Sequence, residues 1–578
     1  MTNLNYKLLI GATLFAPFLF SQNPLLIPDT LSGDLDQQGV KHYNLTAQNG
    51  ITQFFNGINT PTFGYNANLL GPTLIINKND SIQLNVTNSL NQVTTVHWHG
   101  FHVAPVNDGG PHQMIAPNTT WRPSFIMRNE AATFWYHPHG DMKTEIQVSK
   151  GMAGMIIVRD AIESTYVLPR KYGIDDFPLI VQSKAFDVLT QIATATHEDT
   201  VNMVNGTINP FLNVPQQVVR FRLLNGNADR TYLFGLENNA SFHIIGSDGG
   251  LLSAPVLANR VRLSPGERME ILIDFSTYNL GSQINFKSFA SELERGIIGA
   301  DSVGTSEIMI MEGYYSNFLN GLDFNVLQFN VGDQTANPVL TIPSEFELKI
   351  PISESTVDVY RDIKLAPDTQ FSTTQSLVDG PFFINDVAFH MDSINIVVNL
   401  NDTEIWTITN ETMVAHPFHI HDIEFFVLDI NGNPPPAEYQ GLKDVILIMP
   451  DDTVRFITRF TTFADEMTPY MYHCHLLHHE DEGMMGSFLV VDPAASISEK
   501  NQNSSIKLFP NPFNSELKIE VNENASYDLK ITDLLGNLIL TKNLIGNSKL
   551  DLEFLNDGIY FLELKNGTEI LVEKIIKN

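Results

Sequence analysis

Four His-X-His pairs stand in this chain of 578 residues: His97 and His99, His137 and His139, His419 and His421, His473 and His475. Residues two apart on a β-strand point to the same face, so each pair offers two imidazoles side by side and sends its middle residue to the other face. Neutral imidazole is a common ligand for transition metals, and eight such rings drawn together make a metal cluster. The middle residue of the last pair is Cys474, the only cysteine in the chain. A thiolate there binds one metal on one face of the strand while its two neighbours bind a cluster on the other. That arrangement is a short covalent connection between two redox centres.

The mix of ligands around Cys474 points to copper. Two imidazoles, one thiolate and a weak thioether suit a blue-copper site built for one-electron exchange. His479 follows Cys474 by five residues and Met484 by ten, and His416, three residues before His419, is the candidate from another strand. Zinc prefers a closed tetrahedral set, and a chain with one cysteine has no Cys-X-X-Cys pair. A lone histidine or methionine is more often packing than ligand. Ten of the 17 histidines, however, fall in these motifs, leaving His42, His102, His112, His197, His243, His390 and His478 outside them. Packing alone does not explain such clustering.

Rigid strands must position these residues, and the sequence is patterned for strands. Short runs alternate apolar and polar residues and close on Gly, Pro, Asn or Asp, as in antiparallel sandwiches. Three runs look alike, Ser81–Asn88, Val218–Asn225 and Glu404–Asn410, each ending on asparagine. They read as one strand in three copies of a domain. The expected division is 22–162, 163–318 and 319–492, followed by a linker at 493–505 rich in Ala, Ser, Asn and Gln and a small β-domain at 506–578. The metal-type pairs occupy only the first and third copies. The second, with His243 isolated in its repeat body, reads as a spacer.

Lys and Arg number 34 against 65 Asp and Glu, a formal net charge of −31. Such a field makes nucleic acid and anionic membrane poor partners. One cysteine excludes an intramolecular disulfide. At the N-terminus Lys7 precedes an apolar stretch, Leu8–Phe20, too short to span a bilayer and followed by Ser21 and Gln22 as a cleavage point, so residues 1–21 read as a secretory signal. No later segment is long and apolar enough for a transmembrane helix, and the mature chain is expected outside the cytoplasm.

The segments His97-Trp-His-Gly100, His137-Pro-His139, His416-Pro-Phe-His-Ile-His421 and His473-Cys-His-Leu-Leu-His-His-Glu-Asp-Glu-Gly-Met-Met485 resemble the four copper signatures of the three-domain multicopper oxidases, the laccase and cuprous-oxidase branch. The resemblance runs from about 40 to 492 and includes Val204-Asn-Gly206 and the run from Arg220 to Asn225. It implies an all-β architecture of three cupredoxin-like Greek-key β-sandwich domains, with the cluster clasped between the first and third. It implies four copper ions: one type 1 on His416, Cys474, His479 and Met484, one type 2 on His97 and His419, and two type 3 on His99, His137, His139, His421, His473 and His475. Asp108 and Glu480 match family acids that relay protons. The activity implied is one-electron oxidation of four reducing molecules coupled to four-electron reduction of dioxygen to water.

Residues 313–400 contain only Met391 as methionine, so the chain lacks the methionine-rich insert of cuprous oxidases, and phenols or similar aromatics are the expected reductants. Oxidation of Cu(I) or Fe(II) and non-catalytic copper binding are the alternatives. His478 either lines the substrate edge or meets solvent. The segments Leu508-Phe-Pro-Asn-Pro512, Asp533-Leu-Leu-Gly536, Gly558-Ile-Tyr560 and Lys574-Ile-Ile-Lys577 resemble the type A sorting domain of type IX secretion. That resemblance implies a partner in the secretion machinery and a secreted or outer-surface location reached through the periplasm.

Overall fold

The structure, a computed structural model, describes residues 22–305, 311, 313–367, 376–493, 506–521, 526–533, 536–566 and 569–577. The signal at 1–21 and the linker beyond Pro493 lie outside the described residues. The chain divides into two compact units, 1–492 and 493–578.

The three similar runs are the same strand in three settings. Ser81–Asn88, Val218–Asn225 and Thr403–Asn410 each pair in parallel with an earlier strand, Val40–Phe55, Asp176–Phe186 and Val359–Pro367. On its other edge each pairs antiparallel, with Ser124–Ile126, Arg268–Asp274 and Thr453–Arg459. The closing asparagine has a structural duty that explains its recurrence. Its amide donates to two carbonyls: Asn88 to Gln92 and Ile115, Asn225 to Arg230 and Leu263, Asn410 to Val414 and Ile448. Its carbonyl accepts from the backbone N–H two residues on, of Leu90, Asn227 and Thr412. All three asparagines are buried, and each one satisfies backbone groups that the chain leaves orphaned as it departs the strand.

A second sheet completes each sandwich. In the first copy its order is Thr30–Ser32, Thr73–Asn77, Gly154–Arg159, Thr133–His137, His97–His99. In the third it is Ile396–Asn399, Met485–Val491, Asp465–Cys474, His416–Ile420, Val445–Ile448. The middle copy has Asn23–Pro24, Pro210–Pro215, Phe324–Gly332, Gln283–Ser288, Tyr232–Leu236, Val261–Leu263. The all-β sandwich class expected from the sequence is thus the observed one.

One boundary is corrected. Phe324–Gly332, assigned by the 319 boundary to the third copy, pairs with Pro210–Pro215 and Gln283–Ser288 and is a central strand of the middle copy. Alternation marks this run as a strand without saying which sheet it completes, and the strand-free connection follows it at 333–353. Asn23–Pro24 likewise pairs with Pro210–Phe211, on the sheet of the middle copy.

Strand alternation sets the cores. Trp98, Ile420 and Cys474, the middle residues of three pairs, face the apolar interiors of their sandwiches. Their histidine neighbours therefore point outward from those cores, toward the seam between copies. The second unit has its own core, including Leu517, Ile519, Leu529, Leu550, Leu562 and Ile575, between a three-stranded and a four-stranded sheet. Among the described residues no helix is long and apolar enough to cross a membrane.

Candidate metal centres

Sheet register brings the pairs together within each copy. In the first, His97 stands opposite His137 on neighbouring antiparallel strands. In the third, His419 stands opposite His473. The two histidine faces then meet across the seam: His97 stacks on His421 at 3.9 Å between centroids, and His99 on His419 at 3.8 Å. All eight rings are buried. Three groups have their ring nitrogens within 4.8 Å of one another: His99, His137 and His475; His139, His421 and His473; His97, His419 and His421.

One nitrogen of nearly every ring is committed to the protein. Nδ1 of His97, His137, His419 and His473 donates to the carbonyls of Asp108, Pro138, Asp444 and Cys474, at 2.8 to 3.0 Å. A carbonyl accepts only from N–H, which fixes these tautomers and leaves Nε2 as a lone pair. His421 Nδ1 is 2.7 Å from Asp108 Oδ2, and His139 Nδ1 is 3.3 Å from Glu480 Oε1. The inward nitrogens find no donor. Nε2 of His97, His137 and His419 is buried without a hydrogen-bond partner. His473 Nε2 faces His139 Nε2 at 3.1 Å and His421 Nε2 at 3.3 Å, and His475 Nε2 faces His99 Nδ1 at 3.3 Å. Converging lone pairs in a dry site suit cations, so the residues fit bound metal.

Burial first, then mutual repulsion, pushes His99, His137, His419 and His421 well below the ordinary histidine range. The same desolvation takes His139 and His475 down to about 3. A lowered pKa favours the neutral ring in these six, the form that binds metal. Burial alone raises the Glu480 carboxyl, but His139 and His473 overcome it and hold Glu480 well below its usual range. Asp108 and Glu480, the two expected acids, both sit against cluster histidines.

The thiolate site lies on the other face of the same strand. Cys474 Sγ is 3.4 Å from His416 Nδ1 and 3.7 Å from His479 Nδ1, and the three form a buried group. Burial pushes the thiol well above its usual value, so a bound cation is what favours the thiolate here. The chain leaves Cys474, makes the short helix Leu477–Asp481, and returns to Met484, whose N–H donates to the His479 carbonyl at 2.8 Å and whose carbonyl accepts from Cys474 at 3.1 Å. Met484 is fully buried. Phe382 packs on both rings, 4.9 Å from His416 and 4.7 Å from His479.

Sequence reasoning missed three contributors. Asp444 lies with Oδ1 3.2 Å from His99 Nε2, and Arg268 pairs with its carboxylate. His197, one of the histidines outside the motifs, lies with its ring 5.7 Å from that of His478, between Asp229 and Asp379. No local spacing announces any of them.

Residues 46–163 and 360–494 match the multicopper oxidase family, and 507–578 match the secretion system C-terminal sorting domain. The multicopper oxidase mco of Staphylococcus haemolyticus is 33% identical over 481 residues, covering 82% of this chain and 93% of that protein. The cell division protein FtsP of Dickeya dadantii is 28% identical over 478 residues, covering 81% and 92%. The crystal structure of a laccase from Pediococcus acidilactici superposes with a TM-score of 0.69 at 30% identity, covering 82% of this chain and 94% of that one.

Proposed function

The chain belongs to the multicopper oxidase family, and from that premise we propose a laccase-like oxidase that takes single electrons from four small reductants and delivers them to dioxygen. The observation that carries this reading is Cys474, whose sulfur joins His416 and His479 on one face of its strand while His473 and His475 join the cluster on the other. A copper store needs no such connection, and a family that also includes a protein named for cell division requires the ligands themselves as evidence.

The reading assigns one type 1 copper to His416, Cys474, His479 and Met484, one type 2 to His97 and His419, and two type 3 to the groups His99, His137, His475 and His139, His421, His473. Bound copper supplies one-electron acceptance at the thiolate site and dioxygen reduction at the cluster. The chain does the rest. Cys474 and its two histidine neighbours give the shortest covalent connection between the sites. Carbonyls and carboxylates hold each ring in one tautomer. Asp108 and Glu480, the carboxylates touching His421, His139 and His473, are placed to hold and pass the protons that water formation consumes. In the domain organisation we infer, the first copy ends near 162, the middle copy extends through Gly332, and the third ends near 492.

Phenols or similar aromatics are the proposed reductants. A second reading, oxidation of a metal cation, is favoured by one observation. Beside the helix that carries His479, His197 lies 3.5 Å from Asp229 and 3.2 Å from Asp379, and His478 lies 3.4 Å from Glu482. Rates on a phenol, Fe(II) and Cu(I) measured in parallel decide between them, because His197→Ala then slows only the cation reactions if the second reading holds. The class itself is tested by copper quantitation with visible and EPR spectra. About four coppers with type 1 and type 2 signals support it; a colourless protein that consumes no dioxygen rejects it. The sorting domain supports export by way of the periplasm to the outer surface, and deletion of 506–578 is expected to retain the oxidase in the periplasm.

A further inference from the structure

We propose that the ligand-free middle copy positions the cluster through Arg268, which fixes Asp444 and, through it, one histidine from each of the other two copies. The inference rests on the oxidase reading above and assigns Arg268 and Asp444 as positioning residues for the dioxygen site.

The turn Ser264-Pro-Gly-Glu-Arg268 joins the strands Val261–Leu263 and Arg268–Asp274 and reaches the cluster. Its Gly266 has φ +86°, and a Cβ there would stand 2.9 Å from Cδ2 of His475 and 3.0 Å from its Cγ. The turn therefore lies directly on a cluster ring and admits no side chain between. Two residues on, the Arg268 guanidinium spends its donors on all three copies. Nε donates to the Thr133 carbonyl of the first copy at 3.0 Å. Nη1 donates to the Gly266 carbonyl and Nη2 to that of Asp248, within the middle copy. The same two nitrogens grip Asp444 of the third copy, at 2.5 Å to Oδ1 and 2.6 Å to Oδ2. Arg268 and Asp444 are both fully buried.

Asp444 then acts on two rings. Its Oδ1 accepts from His99 Nε2 at 3.2 Å, and its backbone carbonyl accepts from His419 Nδ1 at 2.8 Å. These rings belong to different copies and stack on each other. The carboxylate has a further chemical consequence. Six cluster rings have Nδ1 committed to a carbonyl or carboxylate and turn Nε2 inward, but His99 has Nε2 committed to Asp444 and turns Nδ1 inward, toward His475. A planar, bidentate guanidinium fixes the carboxylate in rotation as a lysine ammonium cannot. Lys443, held by Asp248 and Glu267, braces the same segment from the other side.

The test compares copper-loaded wild type with Asp444→Asn, which keeps the shape, and Arg268→Lys, which keeps the charge. We expect both variants to retain the blue absorption, to shift the type 2 EPR hyperfine pattern, and to slow reoxidation of the reduced enzyme by dioxygen about tenfold or more, as loss of such outer partners does at other metal sites. The KM for the reductant stays within error while kcat falls. Unchanged hyperfine and reoxidation at full copper content in Asp444→Asn would overturn the proposal, and so would a lowered melting temperature with wild-type spectra, which is a brace and nothing more. If Arg268→Lys does not fold, Asp444→Asn alone decides. Absence of blue colour in the wild type instead sinks the oxidase reading.

Discussion

Asp108 of the first copy accepts a hydrogen bond from His421 of the third, Oδ2 to Nδ1, at 2.7 Å, while its own backbone carbonyl accepts from His97. One buried residue therefore touches a cluster ring on each side of the seam. Asparagine preserves the size and the carbonyl acceptor but cannot carry a proton. Asp108→Asn is expected to keep its copper and its blue absorption while kcat for oxygen uptake falls by about 100-fold, within the span of acid–base contributions. Oxygen electrode measurements check it, and uptake at the wild-type rate removes Asp108 from the proton path.

Cys474 is placed to contact one site through its sulfur and the other through its two bonded neighbours, His473 and His475. Its Sγ lies within 3.7 Å of both His416 and His479 nitrogens. Cys474→Ser replaces a soft thiolate donor with a hydroxyl, so the intense visible band should vanish while the type 2 EPR signal remains. A serine variant that stays blue would show that the sulfur is not the chromophore ligand.

Lys184 gives a stability prediction with a definite sign. It is buried, its ammonium donates to the Ser149 carbonyl at 2.7 Å, and burial lowers its pKa to about 8 despite the pull of Glu145. The unfolded value is about 10.4. Below about pH 8 both states are charged and the folded one bears the whole desolvation cost; between about 8 and 10 the unfolded chain binds more protons, so this group makes stability rise with pH. Lys184→Met is expected to stabilise the protein at pH 7 by about 1 to 3 kcal/mol and to flatten that rise. Denaturant titrations of both proteins at pH 7 and 10 check it.

Much of the site was legible because its chemistry is local. The His-X-His spacing needs only strand alternation to place two rings on one face, and Cys474 between two histidines announces two sites at once. The repeat was legible for a different reason: Asn88, Asn225 and Asn410 each satisfy the same backbone groups, so the residue type recurs with the geometry. Asp444 carries no such signal, since its partners His99 and Arg268 lie 345 and 176 residues away. His197 pairs with Asp379 across 182 residues. The boundary near 319 failed because alternation marks Phe324–Gly332 as a strand without saying which sheet it completes.

The repeated asparagine carries its own prediction. Asn225→Ala leaves the carbonyls of Arg230 and Leu263 and the N–H of Asn227 without that partner, in a buried place. Each orphaned group costs about 1 to 3 kcal/mol. With three groups orphaned, a loss of about 3 kcal/mol or more is expected, read as a lower denaturation midpoint at unchanged slope. A loss below about 0.5 kcal/mol would mean that rearranged backbone or water replaces the amide.

Copper removal tests the seam. The stacked rings His97 on His421 and His99 on His419 come from the first and third copies, so ions held among them join two sandwiches that otherwise meet through packing and the middle copy. Ligands that bind only the folded state stabilise it by mass action, about 4 kcal/mol at a thousandfold excess over Kd. Chelated protein should therefore melt several degrees below the loaded form, and hydrogen exchange should rise first in the strands His97–His99 and His416–Ile420. Titrating copper back should restore both the melting temperature and the colour, whereas zinc restores no blue band. Equal melting temperatures with and without copper would mean that the cluster histidines are held in place entirely by the protein, with the ions adding nothing to the join.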